Sequence, residues 1–227
     1  MKVSEEIFAF LKELGANNNR EWFHEHKAQY LTAREAFEDF TADFINLVSE
    51  YDPSVGTPEV KNSIYRINRD IRFSNDKTPY KTNFCCFVAR GGKKSRLPGY
   101  FLSISPSDSM MGNGLYCLDA AELKKVRTEI CNFPEEITSI VEDERFRATY
   151  RLWDNALKTF PKGYETGFHG DYLLKYKALS AYAELSDDEV LADDFEKRLA
   201  RRIEIAVPLN AFLTRALEAP DEEKIDF

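Results

Sequence analysis

The sequence predicts an α+β fold in which one antiparallel sheet packs with N-terminal and C-terminal helices. Three observations lead there. Apolar residues recur at helical spacing over the first fifty positions, the period shortens towards two between residues 63 and 117, and helical spacing returns from Asp119. Helices, then a run of strands, then helices is the order of an α+β chain. With 227 residues, no linker and no internal repeat, one domain over residues 1–227 is expected.

Ser4 caps a first helix whose Ile7, Phe10, Leu11 and Leu14 follow the i, i+3, i+4, i+7 pattern, and Gly15 stops it. Asn17-Asn18-Asn19 supplies a loop and the N-cap of a second helix. That helix carries Trp22, Phe23, Tyr30, Phe37, Phe40, Phe44, Leu47 and Val48, and ends at Asp52-Pro53. Ser63–Phe73 reads as a strand: Tyr65, Ile67, Ile71 and Phe73 share one side, Arg66, Asn68, Asp70 and Arg72 the other, with Arg69 breaking the apolar side. Ser74–Pro79 is a turn, because Pro79 forces Thr78 out of the helical region. Asn83–Arg90, Gly99–Ser105 and Met111–Cys117 are further strands, making a sheet of about four or more over roughly 63–117, with short antiparallel connections. Asp119 with Glu122 has capping-box spacing, Pro134 starts another helix, and Ser186 with Glu189 repeats the box. A long helix from about Asp194, with a kink at Pro208, closes the chain, while Tyr150–Ala183 reads as irregular.

Composition excludes several classes. At 43% hydrophobic and 13% aromatic residues the chain is neither disordered nor low-complexity. No apolar run approaches the ~18 residues that span a bilayer, and the charged MKVSEEIFAFLKEL start is not a signal peptide. Cys85 and Cys86 are adjacent, Cys117 and Cys131 stand alone, and no C-x-x-C occurs; reduced thiols in a cytoplasmic protein are expected. His24-Glu25-His26 is not the H-E-x-x-H zinc motif, since an i, i+2 pair points to different sides of a helix. No metal site and no cofactor is expected. Gly112-Asn113-Gly114 lacks the setting of a dinucleotide loop, and neither a nucleophile elbow nor a P-loop is present.

The net charge of −8 conceals a reversal. Residues 61–100 hold ten basic side chains against Asp70 and Asp76, a local +8 that leaves −16 on the rest. Such segregation attracts anions. Arg66, Arg69 and Arg72 fall within seven residues and are followed by Lys77, Tyr80 and Lys81. Guanidinium forks grip phosphate or carboxylate bidentately and lysines add point charge, so these six residues form the candidate anion site, for a small phosphorylated or carboxylated ligand. At least two of the three guanidinium groups are expected to converge near Lys77 or Lys81. In an enzyme of this kind the cations would stabilise developing negative charge and Tyr80 or Asp70 would handle a proton. Two alternatives stand beside it: a module docking an acidic protein partner, and a solvated ladder of Arg66, Asp70 and Arg72 on a sheet face. Nucleic acid is disfavoured, because aromatics make up six of the forty residues, hardly above the 13% of the whole chain. His169 is the one histidine of the irregular region and reads as an ordinary surface residue.

Taken together, the strings Asn17-Asn18-Asn19-Arg20-Glu21-Trp22-Phe23, Ser63–Ile67, Arg69–Ser74, Asp76–Thr82, Pro98–Leu102, Leu123–Arg127 and Ser186–Leu191 resemble the bacterial family called domain of unknown function 2461 over nearly the whole chain. The resemblance implies no reaction and no catalytic residue. The family's most recognisable string, Arg69 to Thr82, coincides with the basic segment. The chain departs from the family pattern at His169-Gly170, where His-Pro is expected, and at Cys85-Cys86, where small or polar residues are expected.

Overall fold

Ser4 does cap the first helix: its hydroxyl accepts the Glu6 N–H at 3.1 Å, opening α1 (Glu5–Ala16). The computed structural model describes residues 1–220. The predicted second helix is two, α2 (Arg20–Glu25) and α3 (Lys27–Tyr51), parted at His26. There the Trp22 carbonyl accepts both the His26 backbone N–H at 2.9 Å and its ring Nδ1–H at 2.8 Å, while the two rings stack with centroids 4.1 Å apart. A 3-10 turn (Pro53–Val55) and α4 (Val60–Ser63) follow. The strands are β1 (Phe84–Val88), β2 (Gly99–Ile104), β3 (Ser109–Gly114), β4 (Arg151–Leu152) and β5 (Ser180–Leu185). They form an antiparallel sheet in the order β1-β2-β3-β5-β4. The other helices are α5 (Ala120–Asn132), α6 (Pro134–Val141), α7 (Glu144–Thr149), α8 (Asp187–Leu191) and α9 (Phe195–Glu218, with Pro208 inside it); a second 3-10 turn covers Asp171–Lys175. The α+β class is as predicted.

Three local expectations are corrected. Ser63–Phe73 forms no regular strand; its strand-like pairing is confined to isolated bridges, Ile64 to Cys86 and Asn68 to Tyr80. Pro79 explains the stop, for it accepts the Arg69 N–H at 2.9 Å but has no N–H to return. The predicted Met111–Cys117 strand lies two residues earlier and ends at Gly114, whose φ of 91° and 2.5 Å clearance from its would-be Cβ to the Leu179 carbonyl admit only glycine. The region read as irregular contributes β4 and β5.

The chain forms two compact units. The first comprises residues 1–95, 99–112 and 182–204. Its core joins the buried face of α1 to Phe37, Phe40 and Phe44 of α3, with Phe84 of β1 5.3 Å from Phe37 and Phe195 of α9 6.3 Å from Phe40. The fully buried Tyr100 donates its hydroxyl to Asp52 at 2.8 Å. The second unit comprises, among the described residues, 96–98, 113–181 and 205–220. Val126, Ile130, Ile137, Val141, Phe146, Leu173 and Leu174 are buried there with Leu209, Phe212 and Leu213 of α9. Asp119 and Glu122 make the predicted capping box on α5.

Candidate functional site

The loop from Arg69 to Lys81, in the first unit, is held by its own side chains. The Arg69 guanidinium pairs with Asp76, donates to the Thr78 hydroxyl and carbonyl, and reaches Ser74 Oγ. Asp76 in turn accepts the Thr78 N–H at 2.9 Å. That backbone donor, then Arg69 and the Thr78 hydroxyl, hold the Asp76 carboxyl at about 2, well below the usual carboxylate range. At the loop's foot the Lys81 N–H reaches the Ile67 carbonyl at 2.8 Å.

Asn18 ties α2 to this loop. Its side-chain amide donates to the Tyr80 carbonyl at 2.9 Å and accepts the Tyr80 N–H at 3.1 Å, so one side chain satisfies both backbone groups as a neighbouring strand would. The Tyr80 ring stacks on Phe23 at 3.9 Å and 15°, and Asn19 caps α2 by accepting the Trp22 N–H at 2.9 Å. Between the two segments opens a groove of about 690 Å³, walled by Asn18–Glu21 on one side and by Ile71 and Lys77–Pro79 on the other. Two cations line it, Arg20 and Lys77. Neither has a carboxylate partner among the described residues; Lys77 donates to the Ile71 carbonyl at 3.0 Å. Glu21 is exposed at the rim.

Of the six residues predicted from sequence, Lys77 lines the groove and Arg69 clasps the loop behind it. Tyr80 is buried at the loop's foot. Arg72 grips Asp70 bidentately (2.9 and 2.6 Å), and its guanidinium carbon stands 5.9 Å from the ring of Phe73, which is 95% exposed. Lys81 lies 5.5 Å from the Tyr65 ring, and Arg66 is exposed. Arg69 and Arg72 thus each turn to an aspartate of the same loop rather than towards one another. Sequence reasoning missed Asn18 and Arg20, whose signal was their place in a quoted string next to Trp22.

A second polar cluster lies in the second unit. Glu142, just after α6, receives His169 Nε2 at 2.9 Å, the Tyr172 hydroxyl at 3.2 Å and Arg147 at 3.6 Å. These donors, His169 foremost, lower the Glu142 carboxyl, while burial and then the Glu142 charge push the Tyr172 phenol up to about 12. Gly170 holds His169 there with φ of 94°, which proline cannot adopt, and a Cβ on it would collide with Thr138. No group of three metal-ligating side chains occurs among the described residues.

Residues 6–212 match the family described as a conserved hypothetical protein, DUF2461. The chain belongs to this family. No curated protein and no solved structure matches it. In this DUF2461 chain the groove is walled by two of the strings that carry the resemblance, 17–23 and 69–82, which lie some fifty residues apart in sequence and meet at Asn18 and Tyr80. No helix among the described residues is long and apolar enough to cross a membrane.

Proposed function

We propose that this chain binds a small anionic ligand, phosphorylated or carboxylated, in the groove between Asn18–Glu21 and Ile71–Pro79. The observation that carries the reading is the pair Arg20 and Lys77, two cations without a carboxylate partner among the described residues, lining one opening. Arg20 offers a planar fork and Lys77 a point charge. Arg69 acts as a positioning residue: through Asp76 and Thr78 it fixes the backbone that presents Lys77. Arg66, Arg72 and Lys81 add to the field that draws the ligand in, and Tyr80 anchors the loop's foot. The direct test is thermal denaturation against a panel of phosphorylated and carboxylated metabolites. A ligand at 100 times its Kd stabilises the wild type by ~2.7 kcal/mol, and Lys77→Met combined with Arg20→Met abolishes the gain. A panel in which no compound stabilises the wild type sinks the reading.

Docking of an acidic protein partner is the second reading, and Phe73 favours it. A phenylalanine 95% exposed beside a cation, on a loop pinned by its own side chains, has the chemistry of a preorganised contact. Association of this kind weakens steeply with salt, so sizing at low and high ionic strength, with Phe73→Ser as control, separates it from the first. For either reading we propose a cytoplasmic setting, supported by the buried Cys85 and Cys86, whose thiols burial pushes up and keeps protonated.

A further inference from the structure

Arg127, in the second unit, is a buried cation without a counter-charge. It is 9% exposed on α5, and it forms no ion pair among the described residues. Its Nε donates to the Leu174 carbonyl at 2.9 Å, and its guanidinium carbon lies 5.7 Å from the Tyr164 ring centroid. Nη2 is fully buried and has no acceptor. A buried charge left this way is costly, and removing such a group is the usual remedy of a protein that has no use for it. The half-buried arginines do have carboxylates: Arg202 meets Glu189 and Arg69 meets Asp76.

A trapped water is a poor source of the missing acceptor: Nη2 offers a water-sized sphere less than 1 Å² of surface, and a buried water needs room and two or more polar partners. Nor does the covering loop supply it. Glu165, next to Tyr164, is exposed and forms no ion pair among the described residues. Its charge, after burial, helps raise the Cys131 thiol, one turn along α5 from Arg127. What covers Arg127 is an aromatic face on a segment, 160–170, without helix or strand and with positive φ at Gly163, Gly167 and Gly170.

We propose that Arg127 is the binding group of an oxyanion site, for a carboxylate or phosphate group of a small molecule, reached when Tyr164 moves off the guanidinium. The planar fork, already oriented by Leu174, presents its two Nη groups to two oxygens of the ligand. This site does not rest on the groove reading: it uses residues of the other unit.

The probes are sodium phosphate and sodium acetate, each titrated against sodium chloride at matched ionic strength. The readouts are the melting temperature and the NMR signal of the Arg127 Nε–H, assigned by its loss in Arg127→Met and in Arg127→Lys. One or both oxyanions are expected to raise the wild-type Tm by ~2–4 °C above chloride and to shift the Nε–H signal; which of the two acts identifies the ligand group. Arg127→Met is expected to lose that response and, in chloride, to melt higher than the wild type, because its buried charge is gone. Tyr164→Ala is expected to respond at lower anion concentration. The double variant Lys77→Met with Arg20→Met keeps the full shift of the Arg127 Nε–H signal, so failure of the groove and failure of this site are told apart. The proposal is overturned if Arg127→Met melts lower in chloride and responds to both anions as the wild type does, which makes Arg127 a tie to Leu174. It is also overturned if Arg127→Met and Glu165→Gln both melt lower in chloride by the same amount and the double variant melts no lower still, which makes Glu165 an internal counter-ion. Should Arg127→Met fail to fold, a wild-type Nε–H signal unmoved by either oxyanion, or an Arg127→Lys variant that responds fully without the fork, overturns it.

Discussion

Two loops of this molecule treat arginine in opposite ways. Between residues 69 and 81, Arg69 and Arg72 are matched by Asp76 and Asp70 within the same few residues, and the result is a clasped, self-supporting loop. Between residues 160 and 175, Arg127 is covered by an aromatic ring and given one carbonyl but no acid. Local density of positive charge is therefore a poor guide to where an anion is wanted. A guanidinium with an aspartate seven residues away builds structure; one buried without a partner keeps its binding capacity.

The contrast can be broken from either side. Gly170→Ala should have the largest effect, about 2–3 kcal/mol of destabilisation, because it forces a side chain into φ of 94° and against Thr138; a denaturant midpoint unchanged from wild type would contradict that. Asn18→Ala should cost about 2 kcal/mol, since it strips partners from both backbone groups of Tyr80 at once, and Asn18→Asp should recover only the N–H interaction; chemical denaturation of the pair checks this. Arg69→Met should cost ~1 kcal/mol globally, with its main effect local: amide exchange across residues 70–79 should accelerate while that of α5 stays unchanged.

The smallest effects are those of pH, and those of Asp76 and Tyr172 run in opposite directions. Asp76 has its carboxyl depressed to about 2, so its contribution is present above the unfolded value of 3.8 and fades as pH falls towards 2. Tyr172 has its phenol raised to about 12, so its contribution is present below 10 and fades as pH rises from 10 to 12. Alkali should loosen the 169–172 region and spare the clasped loop, whereas acid reaches both, since Glu142 as well as Asp76 is held below its ordinary carboxylate value; exchange or fluorescence at the two extremes checks this.

Much of the architecture was written in short-range signals. Ser4, Asp119 with Glu122, and Ser186 cap helices because a cap needs only its next three residues. β1 and β2 fall where apolar runs predict them. Ser63–Phe73 misled because its alternation is real up to Ile67, buried, but Pro79 ends the pairing and leaves Phe73 in solvent. β5 hid because Ala181 and Ala183 fill its buried positions with side chains of low strand preference. At the groove, charge pointed to Lys77, while Arg20 entered through a contact made by Asn18 across 62 residues, which no local pattern encodes. Arg127 was invisible for the same reason: beside Lys124 and Lys125 it looks like another exposed helical cation, and only packing reveals what it lacks.

The clasp around Arg69 has a kinetic consequence as well. Phe73 stands almost wholly in solvent and is an obvious target for a protease that cuts after aromatic residues, yet a protease must draw several residues on either side into an extended conformation. The pairing of Asp76 with Arg69 and Thr78 forbids that shape while it lasts. Cleavage after Phe73 therefore waits on opening of the clasp, so the rate of one cut, followed by gel, becomes a clock for how often this loop lets go.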